Sequence, residues 1–277
     1  MGISAARDPA GHPAVDGNDI HILDSSFERV ATIRVEEKVA AIVAGDAGLY
    51  VSTYRSEFGH GVAHHEYHLL RYEYRSIPSL LLPPSNIVPV KARAELHEMM
   101  SYLAVGDGAV WCMGETRVYR FDESTLECSF EFEMQFEVGG DPRHGGAMTV
   151  HANELYIAFR GDRLQPYTIK VYSFGGQLIR SFPVPSSHTE LNDREPLELY
   201  SSRDRLYLSE SVPMTAGARS QIFVLSADGA LLAKIESGDR EQFTYMSAFD
   251  DKLLLTKNKR LPEGDDVPNV VVALKGL

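Results

Sequence analysis

The chain has 277 residues, of which 44% are hydrophobic and 24% charged, a balance that supports a packed core and excludes intrinsic disorder and collagen-like structure. Lys plus Arg number 27 against 39 Asp plus Glu, a formal net charge of −12, and an acidic surface of that kind repels nucleic-acid backbones and anionic lipid. No apolar run approaches the ~18 residues of a membrane span, and residues 1–18 lack the basic start and apolar stretch of a signal peptide, so a cytoplasmic protein is expected.

In chain order, residues 1–18 carry Pro9, Pro13 and three glycines with little periodicity and read as a mobile tail before one domain over 19–277. Ile20 to Asp24 followed by Arg29 to Val35 reads as a first hairpin. From there a turn followed by an apolar–aromatic–apolar triplet recurs five times, centred on Tyr50, Trp111, Tyr156, Tyr207 and, with leucine in place of the aromatic, Leu254. The intervals are 61, 45, 51 and 47 residues, so the first unit carries the main insertion. After each of the first four triplets a second hairpin is predicted, over 69–82, 118–132, 169–184 and 222–235, with turns at Gly175-Gly176 and Asp228-Gly229. The only segment with helical spacing is 89–100, where Leu96, Met99 and Met100 would face inward and Glu95 and Glu98 outward.

Repeated alternating strands with polar turns point to an all-β protein of four-stranded antiparallel units. The Asp-x-x-Leu-Tyr turn and the Leu225 to Leu232 hairpin resemble NHL and gluconolactonase-type blades of the β-propeller superfamily, a resemblance that covers 19–277. It implies a β-propeller of four-stranded antiparallel blades, five by preference and six as the alternative, its ring closed by the N-terminal strand pairing with the last blade, which removes two sheet edges. Solenoid and sandwich architectures are the alternatives. On this alignment Cys112 lies on a second strand and Cys128 on a fourth. A strand between them separates their backbones by ~9–10 Å, beyond the reach of a disulfide, and both are expected as buried thiols.

The resemblance also implies that the loops leading into each first strand share one face around a central funnel. Positions 12 to 14 residues before the markers hold Glu36, Glu37, His97, Glu98, His144, Glu195 and Glu241. Glu37, Glu98, Glu195 and Glu241 are the carboxylates suited to Ca²⁺ or Mg²⁺, or with imidazole to Mn²⁺ or Zn²⁺. An alternative metal cluster is His60, His64 and His68; in an extended chain His64, Glu66 and His68 fall on one strand face. His144, beside Arg143 and two glycines, and His97 are the candidate acid–base residues. Arg55, Arg143, Arg160, Glu210 and Lys257 are candidate substrate-orienting groups on the same rim.

The function expected is a lyase or hydrolase acting on a small polar molecule, with a divalent cation polarising an oxygen and a histidine moving a proton. No motif indicates a nucleotide or redox cofactor. The alternatives are a non-catalytic propeller that binds a protein or small ligand on the same face, and a part of a larger assembly.

Overall fold

The computed structural model describes residues 2–5, 18–23, 29–59, 62–73, 90–135, 145–159, 168–184, 195–202, 204–211, 220–238, 241–249, 252–260 and 266–275. Among them every regular element is a strand, and no helix is long and apolar enough to cross a membrane. The chain divides into two compact units, 1–133 and 134–277.

The first unit holds three antiparallel sheets. β1 (Gly2–Ala5), β2 (Asn18–Leu23) and β3 (Arg29–Val35) form one, so residues 2–5 are paired strand. β4 (Lys38–Ala44), β5 (Leu49–Gly59), β6 (Val62–Tyr72) and β7 (Ala92–Leu96) form the second. β8 (Tyr102–Gly106), β9 (Ala109–Met113), β10 (Arg117–Asp122) and β11 (Cys128–Glu133) form the third. The alternation of β5 explains the stacking: Leu49 and Val51 pack on Ile20, Ile22 and Ile33 of the first sheet, while Tyr50 points the other way onto Val110, Cys112 and Phe121 of the third.

In the second unit β12 (Gly145–His151), β13 (Glu154–Phe159), β14 (Thr168–Ser173) and β15 (Leu178–Pro183) make one four-stranded sheet. β16 (Glu195–Ser202), β17 (Arg205–Ser211), β18 (Gln221–Ser226) and β19 (Leu231–Glu236) make another. β20 (Glu241–Phe249), β21 (Lys252–Arg260) and β22 (Asp266–Lys275) make a three-stranded one. Tyr207, Ile222 and Val224 pack against Phe243, Met246, Leu253 and Leu255.

All five markers lie on the second strand of a sheet, and each pairs with the residue seven before it: Val43 with Tyr50, Ala104 with Trp111, Thr149 with Tyr156, Tyr200 with Tyr207 and Ser247 with Leu254. The constant offset comes from the turn. Asp107 and Gly108 both have positive φ (56° and 64°), as do Ala152 and Asn153 (47° and 63°), the two-residue geometry that joins twisted antiparallel strands. In four of the five sheets the first strand also carries a register shift between the fourth and second residues before that pair, at Val39/Ala41, Gly145/Ala147, Pro196/Glu198 and Phe243/Tyr245. A bulge of this kind turns the start of the strand relative to its partner.

Three expectations are corrected. Residues 92–96 form a strand, not a helical turn, because Ala92, Ala94 and Leu96 alternate inward against exposed Arg93 and Glu95 and pair with β6. For the same reason the hairpin expected over 69–82 is closed by 92–96 instead; residues 74–89 lie outside the described set. Cys128 is exposed, since its strand is the outer edge of its sheet, while Cys112 is buried; both are free thiols two strands apart, as expected.

Candidate functional site

Each strand of the second sheet, or the turn before it, sends one polar side chain to the same place. Thr53 on β5 is the cross-strand partner of His68 on β6, which in turn partners Glu95 on β7. Arg93 lies two residues along β7 on the same face, and Glu37 sits in the turn before β4. The Thr53 hydroxyl donates to Glu37 Oε2, His68 Nδ1 is 2.9 Å from the same oxygen, and an Arg93 guanidinium nitrogen is 3.0 Å from Glu37 Oε1. That nitrogen is also 2.7 Å from His68 Nε2.

These contacts assign the imidazole. A guanidinium only donates, so Nε2 accepts and Nδ1 carries the proton that goes to Glu37. The His68 and Glu37 side chains are 6% and 13% exposed and the Arg93 side chain 50%. Burial works to raise the Glu37 carboxyl, but hydrogen bonds from Thr53 and His68 and the charge of Arg93 outweigh it and hold the group below its ordinary value. Nearby Tyr72 is pushed up to about 12, by burial first and then by the charges of Glu37 and Glu36.

The third sheet repeats the arrangement with different chemistry. Glu98, like Glu37, is thirteen residues before its marker. Its carboxylate accepts the Glu115 N–H at 2.8 Å and the Tyr119 hydroxyl at 2.9 Å. Gly114 stands where the second sheet has Thr53, three residues after the marker, and a Cβ there would fall 2.5 Å from either Glu98 oxygen.

The other expected residues are dispersed. His97 and Glu36 are exposed in turns, and Arg55 is exposed on β5. Glu210 is buried on β17, and Lys257 holds the equivalent register position on β21, three residues after the marker. Glu195 and Glu241 begin β16 and β20. His60, Arg143, His144 and Arg160 lie outside the described residues. His64, Glu66 and His68 do share one extended strand, but His64 and His68 are four residues apart, ~13 Å along it, with His64 exposed and His68 buried.

Among the described residues no three His, Cys, Asp or Glu side chains converge to hold a metal ion. The donor set argues the same way: the oxygens of Glu37 face a guanidinium, an imidazole N–H and a hydroxyl, and those of Glu98 face an amide and a phenol. These two carboxylates do not fit the expected divalent-cation site. Thr53 and Arg93 were not singled out from sequence. The repeat could have shown Thr53, which falls in the same column as Glu210 and Lys257, whereas Arg93 was placed on a helix and so lost its neighbours.

No protein family and no curated protein matches the chain. Solved structures do. The glutaminyl cyclase of Myxococcus xanthus is 10% identical over 87% of this chain and 92% of that one, with a TM-score of 0.50. The Pan2 WD40 domain of Neurospora crassa is 9% identical over 85% and 60%, with a TM-score of 0.50, and the acylaminoacyl peptidase of Pyrococcus horikoshii is 11% identical over 93% and 40%, with a TM-score of 0.52. The fold is that of a β-propeller. At such identity the likeness extends to fold alone, and propellers with this likeness include both enzymes and a WD40 domain.

Proposed function

We propose that this propeller is an enzyme of the lyase or hydrolase type acting on a small polar molecule that carries an oxyanion, with His68 as its acid–base residue. The observation that carries the reading is the position of the imidazole between Glu37 and Arg93. Glu37 fixes the ring and its tautomer, as a carboxylate does in a catalytic dyad. Arg93, half exposed, covers Nε2. An incoming carboxylate or phosphate draws the guanidinium into a charge-assisted pair, and Nε2 is then uncovered as a base for a proton of that same ligand. The resulting imidazolium is stabilised by Glu37. His144 and His97, first expected in this role, are not needed for it, and no step requires a metal ion.

In this reading residues 36–275 supply five blades; six is the alternative, with the sheet of β1, β2 and β3 counted as a blade of its own.

The test is turnover of a panel of lactones, esters and hydroxy acids by wild type, His68→Asn and Arg93→Lys. We expect His68→Asn to lower kcat by ~10²–10⁴ with the urea midpoint little changed, and Arg93→Lys to raise KM more than it lowers kcat. His68→Asn turning over at the wild-type rate overturns the proposal.

The second reading is a non-catalytic, ligand-binding propeller. It is favoured by the fact that β5, β6, β7 and the turn before β4 each contribute one member of the network, which makes the network a clasp across the sheet. It predicts that His68→Asn and Thr53→Val lower stability together, with no turnover of the panel by wild type.

A further inference from the structure

Ser209 lies on β17, 2% exposed, and its hydroxyl has no hydrogen-bond partner. A buried orphaned hydroxyl is costly and calls for a reason. The repeat makes it more pointed. Ser52 holds the same column of the first unit, two residues after its marker, and there the hydroxyl donates to the Met100 carbonyl at 2.8 Å. Ser209 has the same residue type in the same register without that bond.

What lies opposite is a carboxyl. The bulge between Pro196 and Glu198 brings Glu198 into register with Ser209, so both point from the same face of their sheet. That face is the one packed on β20 and β21, since Tyr207, two residues from Ser209, belongs to the cluster with Phe243, Met246 and Leu255. Glu198 Oε2 accepts the Met246 backbone N–H. β20 is the first strand of its sheet, and its outward N–H groups have no ladder partner on that side. Glu198 is partly exposed whereas Ser209 is fully buried.

The surroundings select the ligand. Tyr200, Tyr207, Ile222 and Phe243 line this face, and no basic side chain among the described residues contacts Glu198. Burial raises the Glu198 carboxyl to about 8 even with the Met246 N–H bond opposing, so at neutral pH it is an uncharged acid that donates through O–H and accepts through C=O. Charged ligands are disfavoured by the apolar walls. A group with one donor and one acceptor side by side matches.

We propose that Glu198, Ser209 and the Met246 N–H form a second polar site between β16–β17 and β20, for a small uncharged ligand group of the primary-amide type. The amide carbonyl accepts from Ser209 Oγ and from the Glu198 O–H, and the amide N–H donates to the Glu198 carbonyl oxygen. This site is independent of His68 and its network.

Backbone amide resonances of wild type, Ser209→Ala and Glu198→Gln are titrated with formamide and acetamide. We expect saturable shifts at residues 198, 209 and 246 in wild type and at least a tenfold weaker response in Ser209→Ala. That variant keeps its fold, because the hydroxyl makes no bond in the protein, and its urea midpoint confirms it. Glu198→Gln, itself a neutral donor and acceptor, should retain binding within about threefold. A wild-type titration without saturable shifts overturns the proposal. So does a crystal structure in which Ser209 Oγ donates to a main-chain carbonyl as Ser52 does.

Discussion

The carboxylate of Glu98 fills the space that a side chain at residue 114 would need, each of its oxygens 2.5 Å from where a Cβ on Gly114 would be. The two residues are sixteen apart in sequence, and the glycine is what lets Glu98 reach both the Glu115 N–H and the Tyr119 hydroxyl.

Gly114→Ala should therefore displace the Glu98 carboxylate and destabilise the protein by about 1–2 kcal/mol, the usual worth of the two hydrogen bonds it makes to the Glu115 N–H and the Tyr119 hydroxyl. Glu98→Ala should cost less in the Gly114→Ala background than in wild type, because there the carboxylate has already lost those bonds and its removal ends the clash. Urea midpoints of the four proteins measure the coupling, and strictly additive effects would show that the two residues do not meet.

Glu37 makes the network of the second sheet sensitive to acid. Its folded carboxyl lies below its ordinary value, so the stability it contributes is present above that ordinary value and is lost as pH falls through the folded one. Urea midpoints measured between pH 7 and pH 3 should fall less steeply for Glu37→Gln than for wild type. Equal slopes would mean that the carboxyl is not held by Thr53, His68 and Arg93.

Glu198 acts with the opposite sign. Its folded carboxyl stands at about 8, above its ordinary value of 4.5, so its contribution is fully present below that ordinary value and is lost as pH rises toward and through about 8. The loss is about 3–5 kcal/mol across that window. Tyr200 beside it is pushed further up, by burial and by Glu198, and does not ionise in this range. Glu198→Gln should raise the thermal midpoint at pH 8.5 by several degrees and leave it nearly unchanged at pH 4.5; no gain at pH 8.5 would place the carboxyl in water.

The two thiols should be distinguishable. Burial raises Cys112, and Cys128, which is exposed on an edge strand, is raised less. Titration with a thiol reagent should count one group in the native protein and two in denaturant without reductant. Two groups reacting at the same rate in the native state would contradict the burial of Cys112.

The sequence alone was enough for the second strand of five sheets and the turn before it. A turn with φ > 0 at two positions admits few residue types, and alternation of period two has one strand interpretation, so Asp107-Gly108 before Val110-Trp111-Cys112 is readable without coordinates. The same local rules place Cys112 and Cys128 two strands apart. Residues 92–96 were ambiguous, since over five residues Ala-Arg-Ala-Glu-Leu satisfies a helical period about as well as a strand period. Pairing with Tyr67 to Arg71 decided it, and with it the place of Arg93. The network of Glu37, Thr53, His68 and Arg93 was decided only in three dimensions, because its members span 57 residues of chain and meet through cross-strand register, which residue types do not encode. The equivalence of Ser52 and Ser209 is visible in the repeat; that one hydroxyl finds a carbonyl and the other does not depends on how the next sheet packs against each.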